Sequence, residues 1–310
     1  MRTLLVRTAS GIVFVALMIS CILWNQYSYL AIMSLVLLGS ILEYYRIIGP
    51  KKEAAGSRTG DKWLVLIFGL LAYWQSFFFL SPPATITPDT GHAFAALLQA
   101  LMNIRDAHFT MNGIIPMLVF VIFIYELFTG SENPFGNIGW NIIPVFWILV
   151  PIALTNQLYF QHGGAFVVAI FFLIWTYDSG SYAAGSLFGK HPLFPRISPK
   201  KTIEGMIGGI FFTLLFAYFF NQLSWLNMFS KAEWMVLAVV IIIAATFGDL
   251  VESLLKRSLN IKDSGSIMPG HGGFLDRFDA YFFTVPFIVA AIWFLGQMRN
   301  MLLIFEYLNK

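Results

Sequence analysis

Long runs of Phe, Leu, Ile, Val and Trp, separated by short polar connections, set the pattern of this chain. About 20 apolar residues of helix cross a bilayer core, somewhat fewer where the ends snorkel. On that scale nine spans are predicted. They are Thr8–Trp24, Tyr27–Tyr45, Trp63–Leu80, Gly113–Phe128, Gly139–Leu154, Ala165–Ala184, Ile203–Phe220, Trp234–Leu255 and Ala280–Leu295. The expected fold class is all-α, a polytopic integral membrane protein. Residues 81–112 form a long connection, within which His92–Arg105 reads as an amphipathic surface helix.

The positive charges orient the spans. With a cytoplasmic N-terminus, the tail and segments 46–62, 129–138, 185–202 and 256–279 lie inside and carry 15 of the 19 Lys and Arg residues. Only Arg105, Lys231, Arg299 and Lys310 remain outside, as the positive-inside rule requires. An even number of spans would spoil this asymmetry.

Composition agrees. Hydrophobic residues make up 58% and charged ones 11%, and the mean hydropathy is +0.74. Soluble domains carry about 25% charged residues, so a water-facing surface is excluded. The net charge of +3 adds nothing beyond its distribution, and no nucleic-acid partner is expected. Cys21 is the single cysteine, which excludes an internal disulfide and a cysteine-based metal cluster. Arg2 and Arg7 before an apolar run resemble a secretory signal, and "LMISC" resembles a cleavage box. Because Leu23 and Trp24 continue the run and a second follows at once, a retained membrane helix is expected. The chain divides into 1–160, membrane spans without catalytic signature, and 161–310, catalytic spans bearing the inner-face loops 185–202 and 256–279.

The polar residues of the second half carry the candidate chemistry. In "TFGDLVESLLKR", Asp249, Glu252, Ser253 and Lys256 share one helical face. Either they are an end-of-helix cluster bridged to Lys256, or the acids face a ligand. Pro269, Gly270, Gly272 and Gly273 around His271 break any helix and expose N–H groups suited to phosphate. "DRFD" then puts Asp276 and Asp279 one turn apart, with Arg277 turned away. If the two helix ends meet, Asp249, Asp276 and Asp279 converge, a hard-oxygen set suited to Mg²⁺ and substrate phosphates. Lys256, Arg257, Lys262 and Arg277 would surround them.

Upstream, Asp178 lies within a span, where a carboxylate is either functional or hydrogen-bonded to a neighbouring helix. "SPKKTIEG" delivers Ser198, Lys200 and Lys201 on a proline-stiffened loop. Glu204 with Gly205, Gly208 and Gly209 reads as close helix packing. Lys190 and Arg196 are ordinary inner-face charges, and Glu43 and Glu126 are structural.

"SLLKRSLNIKDSGSIMPGHGGFLDRFD", Ser253 to Asp279, closely resembles the signature of CDP-diacylglycerol synthases, or phosphatidate cytidylyltransferases. "GDLVES" and "SPKKTIEG" resemble further motifs of that family, in the same order. Met268 replaces another apolar residue and Ser181 a usual alanine, both minor departures. The motifs cover about the last 130 residues. The resemblance implies Mg²⁺-dependent transfer of CMP from CTP to phosphatidate, giving CDP-diacylglycerol and diphosphate. It also implies a homodimer in the inner (cytoplasmic) membrane, with its active site at the cytoplasmic face. Asp249, Asp276 and Asp279 would be catalytic metal carboxylates, joined by Asp178 as a further metal ligand, with Lys256 and His271 catalytic. Ser198, Lys200, Lys201, Ser253, Lys262, Arg277, Gly272 and Gly273 would bind substrate. The rival readings are another lipid phosphate acceptor, a CTP-using lipid kinase and a cation-coupled transporter.

Overall fold

The computed structural model describes residues 2–54, 61–81, 113–265 and 272–308. Helices α1 (Arg2–Trp24), α2 (Gln26–Ala54), α3 (Asp61–Leu80) and α4 (Ile115–Leu127) come first. Next, α5 (Pro134–Pro144) passes through a π-helical turn (Val145–Leu149) into α6 (Val150–His162). The second half holds α7 (Gly164–Phe188), strands β1 (Pro192–Phe194) and β2 (Ser198–Thr202), α8 (Ile203–Phe220), α9 (Lys231–Ser258) and α10 (Leu275–Leu308).

Each of the nine predicted apolar segments falls on helix. Among the described residues, seven helices are long and apolar enough to cross a membrane: Gln26–Lys52, Asp61–Leu80, Pro134–His162, Gly164–Phe188, Ile203–Phe220, Lys231–Ser258 and Leu275–Met301. The described apolar parts of two others, Ser10–Trp24 and Ile115–Leu127, are shorter. The helix expected at His92–Arg105 lies outside the described residues.

The 185–202 connection departs from a purely helical reading. Helix α7 runs on to Phe188, and an antiparallel hairpin follows, pairing Pro192 with Thr202 and Phe194 with Ser198 across an irregularity. Pro192, Pro195 and Pro199 remove backbone donors and forbid helix here, while a two-strand pairing needs only a short turn.

The chain forms two compact units, Met1–Asn25 with His162–Lys310, and Gln26–Gln161. Helix α1 thus groups with the second half of the chain. Phe14 explains it, meeting Trp175 edge-on at 6.4 Å and Phe278 at 5.7 Å between ring centroids. A large apolar ring needs a partner surface, and chain order does not choose it.

Within Gln26–Gln161, several buried polar groups pair with one another, which offsets the cost of a low-dielectric interior. Asn156 accepts from Tyr29 Oη at 2.8 Å and donates to Ser76 Oγ at 2.6 Å. The buried Lys52 and Asp61 form an ion pair, and Asn141 donates to Asp61 at 2.8 Å while accepting from Lys52 and Tyr45. Glu126 accepts from Asn137 Nδ2 at 3.0 Å, a structural role.

In the other unit, small residues set how closely helices approach. A Cβ on Gly205 would lie 2.7 Å from Ser181 O, and one on Gly209 2.7 Å from Tyr177 O. Gly208 is pressed likewise against Ala184. Gly205, Gly208 and Gly209 thus allow the close packing of α8 on α7 that their spacing predicts. Phe171 and Tyr281 stack at 4.0 Å and tie α7 to α10.

Candidate functional site

Three elements of the Met1–Asn25 and His162–Lys310 unit bring charged groups together: the β-hairpin, α9 and the start of α10. On α9, Asp249, Glu252 and Lys256 follow at i, i+3 and i+7 and so share a face. The Lys256 ammonium lies 2.5 Å from Glu252 Oε2 and donates to Asp276 Oδ1 at 2.7 Å. Glu252 is only 1% exposed.

Asp276 sits in the first turn of α10, where the helix dipole favours a negative charge. Its Oδ2 accepts the backbone N–H groups of Ser264 at 3.0 Å and Gly273 at 2.9 Å. Gly272 makes this possible in two ways. Its φ of +81° is a conformation that side-chain-bearing residues avoid, and a Cβ there would lie 2.5 Å from Asp276 Oδ2. One carboxylate therefore gathers a helix start, a lysine and both ends of the glycine loop.

A second group adjoins it. Asp279 is buried and lies against the Asp249 carboxyl, and Asp178 is near enough to Asp249 to feel its charge. Gly248 permits the approach: a Cβ on it would stand 3.0 Å from Asp279 O and 2.8 Å from Phe283 Cβ. Lys201 of β2 reaches across and forms an ion pair with Asp249. Burial works against the charge on Lys201, but Asp249, backed by Asp178 and Asp279, outweighs it and holds the ammonium pKa above the ordinary lysine value. Lys201 thus stays charged through neutral pH.

The convergence expected of Asp249, Asp276 and Asp279 is met in part. Asp249 and Asp279 face each other, whereas Asp276 is turned to Lys256 and the loop. Among the described residues no set of three or more acidic, His or Cys side chains is arranged to hold a metal ion. The pair still fits Mg²⁺, which commonly takes one or two carboxylates and completes its shell with water and substrate phosphates. Two adjacent carboxylates inside a helix bundle also need a cation or proton to offset their repulsion.

Beside Asp249 lies a cavity of about 410 Å³ lined by Asp178, Lys200, Lys201 and Asp249 together with Tyr177, Ser181, Tyr182, Thr202 and Thr246. None of the latter five was among the site residues expected from sequence. The signal was there for two: Tyr177 and Ser181 lie one turn apart on the helix that carries Asp178, one residue before it and three after. Thr246 is found only through its partner, the Tyr177 hydroxyl, at 2.6 Å. Of the remaining candidates, Ser198 on β2 and Ser253 on α9 are half-buried, and Lys262 is exposed in the loop after α9. Arg277 is exposed and interacts with Asp178. His271 lies outside the described residues.

The chain is similar to known proteins. A sequence model of the cytidylyltransferase family matches residues 5–295. A phosphatidate cytidylyltransferase of Staphylococcus aureus (strain COL) is 35% identical over 175 residues, 54% of this chain and 64% of that protein. One of Staphylococcus epidermidis (strain ATCC 12228) is 35% identical over 180 residues, 57% and 67% respectively. One of Bacillus subtilis (strain 168) is 36% identical over 190 residues, 60% and 68%. The aligned part thus spans less than two thirds of the S. aureus relative. Because the family match begins in α1 and ends in α10, it takes in both units: the chain belongs to the cytidylyltransferase family.

Proposed function

We propose that this protein transfers CMP from CTP to phosphatidate, giving CDP-diacylglycerol and diphosphate, with Mg²⁺ as cofactor. The observation that carries the reading is the pairing of Lys201 with Asp249, which puts a lysine-bearing hairpin over paired acids at the rim of a cavity. A monoanionic-to-dianionic phosphate monoester is already nucleophilic at neutral pH, its second pKa being about 6. No strong base is required. A phosphatidate oxygen forms the new bond to the α-phosphorus of CTP. The bond from that phosphorus to the bridging oxygen breaks, and its electron pair leaves with diphosphate.

Repulsion between the anions is the main obstacle, and the chain's cations address it. Lys200 and Lys201 line the cavity and would neutralise the triphosphate, Lys201 exchanging Asp249 for a phosphate oxygen. Lys256, held by Glu252 and Asp276, and Arg277 add positive charge at the α9–α10 end. Gly272 and Gly273 would let backbone approach phosphate closely. Asp249 and Asp279 would hold the cation, with Asp178 beside them. Mg²⁺, when bound, would offset charge on the departing diphosphate and orient the reacting groups.

Nine crossings, a cytoplasmic N-terminus, a site at the inner face of the cytoplasmic membrane and a homodimer complete the proposal. The charge asymmetry supports the topology, and the family resemblance supports the dimer. Purified protein in detergent, given CTP, phosphatidate and Mg²⁺, should release diphosphate and form CDP-diacylglycerol. No release under these conditions would overturn the reading and favour a transporter, which uses intramembrane carboxylates without nucleotide turnover.

Lys201→Ala should raise the KM for CTP by about tenfold or more, the loss of one charge-assisted hydrogen bond. Initial rates across a CTP series would read it. Unchanged kinetics would reduce the hairpin lysine to a topology signal.

A further inference from the structure

The hairpin that carries Lys200 and Lys201 is only eleven residues long from Pro192 to Thr202, and its strand pairing is irregular. A two-stranded hairpin is marginal on its own, so something must hold it. Its far side is tied by Lys201 to Asp249 and by Arg257 Nε, which donates to Ile197 O at 3.4 Å. Its base is closed from the other direction. Glu204, in the first turn of α8, uses one carboxylate oxygen to accept the N–H groups of Lys190 at 3.1 Å and His191 at 3.2 Å. Its other oxygen pairs with His191 Nδ1 at 2.6 Å. Ile203 N–H donates to His191 O at 2.9 Å, and Thr202 Oγ1 accepts from Gly205 N–H at 3.1 Å.

We propose that Glu204 is a positioning residue: its carboxylate clasps Lys190 and His191 at the base of the hairpin and so sets where Lys200 and Lys201 meet the nucleotide. This deepens the proposed function and rests on it. The clasp works by geometry more than by charge. The His191 side chain is 73% exposed and that of Glu204 25%, so solvent screens their ion pair. Three hydrogen bonds from two consecutive residues onto one carboxylate nonetheless fix the chain leaving α7 against the chain entering α8. Lys201 lies three residues before Glu204, so a shift at the base is carried directly to its ammonium.

Glu204→Ala and Glu204→Gln separate the roles, because glutamine keeps an acceptor for the two N–H groups. In Glu204→Ala the KM for CTP should rise about tenfold, and amide exchange at Lys190 and His191 should speed up about tenfold. The KM for phosphatidate and the yield of folded protein should stay at wild-type values. Glu204→Gln should restore both readouts most of the way. An unchanged KM for CTP in Glu204→Ala, or a Gln variant as impaired as Ala, would overturn the clasp as a positioning device. Exchange is measured without substrate. If the wild type proves unable to use CTP, the proposed function falls, and slowed exchange that depends on Glu204 would still establish the clasp.

Discussion

Asp276→Asn is expected to lower turnover about a thousandfold while leaving membrane insertion intact. The substitution is isosteric, so its effect comes from chemistry. Asp276 Oδ2 faces two backbone donors, Ser264 N–H and Gly273 N–H, and Oδ1 faces the Lys256 ammonium. An asparagine can offer its oxygen to only one of these sides. Its NH₂ must then confront either the lysine or the two N–H groups, donor against donor. The lost charge also leaves Lys256 with Glu252 as its remaining acidic partner among the described residues. Both the glycine loop and the lysine would move away from substrate phosphate. Diphosphate release measured on purified variant, with a folding check by size-exclusion chromatography, tests this; activity within a few-fold of wild type would remove Asp276 from the site.

Gly248→Ala should be nearly as damaging, from a position that carries no functional group. The added Cβ would meet Phe283 Cβ at 2.8 Å, Ala280 Cα at 3.0 Å and Asp279 O at 3.0 Å. Two of these belong to backbone and cannot rotate aside. Helices α9 and α10 must separate at the level where Asp249 and Asp279 meet. Overpacking of this kind costs about 1–3 kcal/mol, and a displacement of about 1 Å at a reacting centre costs about a hundredfold in rate. The two readouts are Tm in detergent and kcat. A wild-type Tm with wild-type kcat would show that the helices adjust freely and that the carboxylate spacing is not critical.

Much of this architecture was legible in the order of residues. Apolar runs of membrane length can be satisfied only as helices, because no water is present to pair exposed backbone groups. That constraint is local, so the apolar segments could be assigned to helix without knowing their neighbours. The glycines of α8 and the polar face of α9 were legible for a similar reason, since helical spacing alone puts residues on one side. The hairpin was legible only as a proline-stiffened loop, because pairing Pro192 with Thr202 is a choice between segments rather than within one.

What the sequence determined by itself is the class of the molecule: membrane helices, polar connections that carry most of the basic residues, and motifs that mark the cytidylyltransferase family. The tertiary structure decided which charges meet. It paired Asp249 with Lys201 across 48 positions, set Asp279 beside Asp249 through the gap at Gly248, and turned Asp276 toward Lys256 and the glycine loop. It also assigned α1 to the C-terminal unit and brought Tyr177 to Thr246. The physical reason is range. Hydrophobic spacing and helix periodicity act over a few residues, whereas the partner of a charge is set by helix crossings that depend on packing along the whole length of both helices.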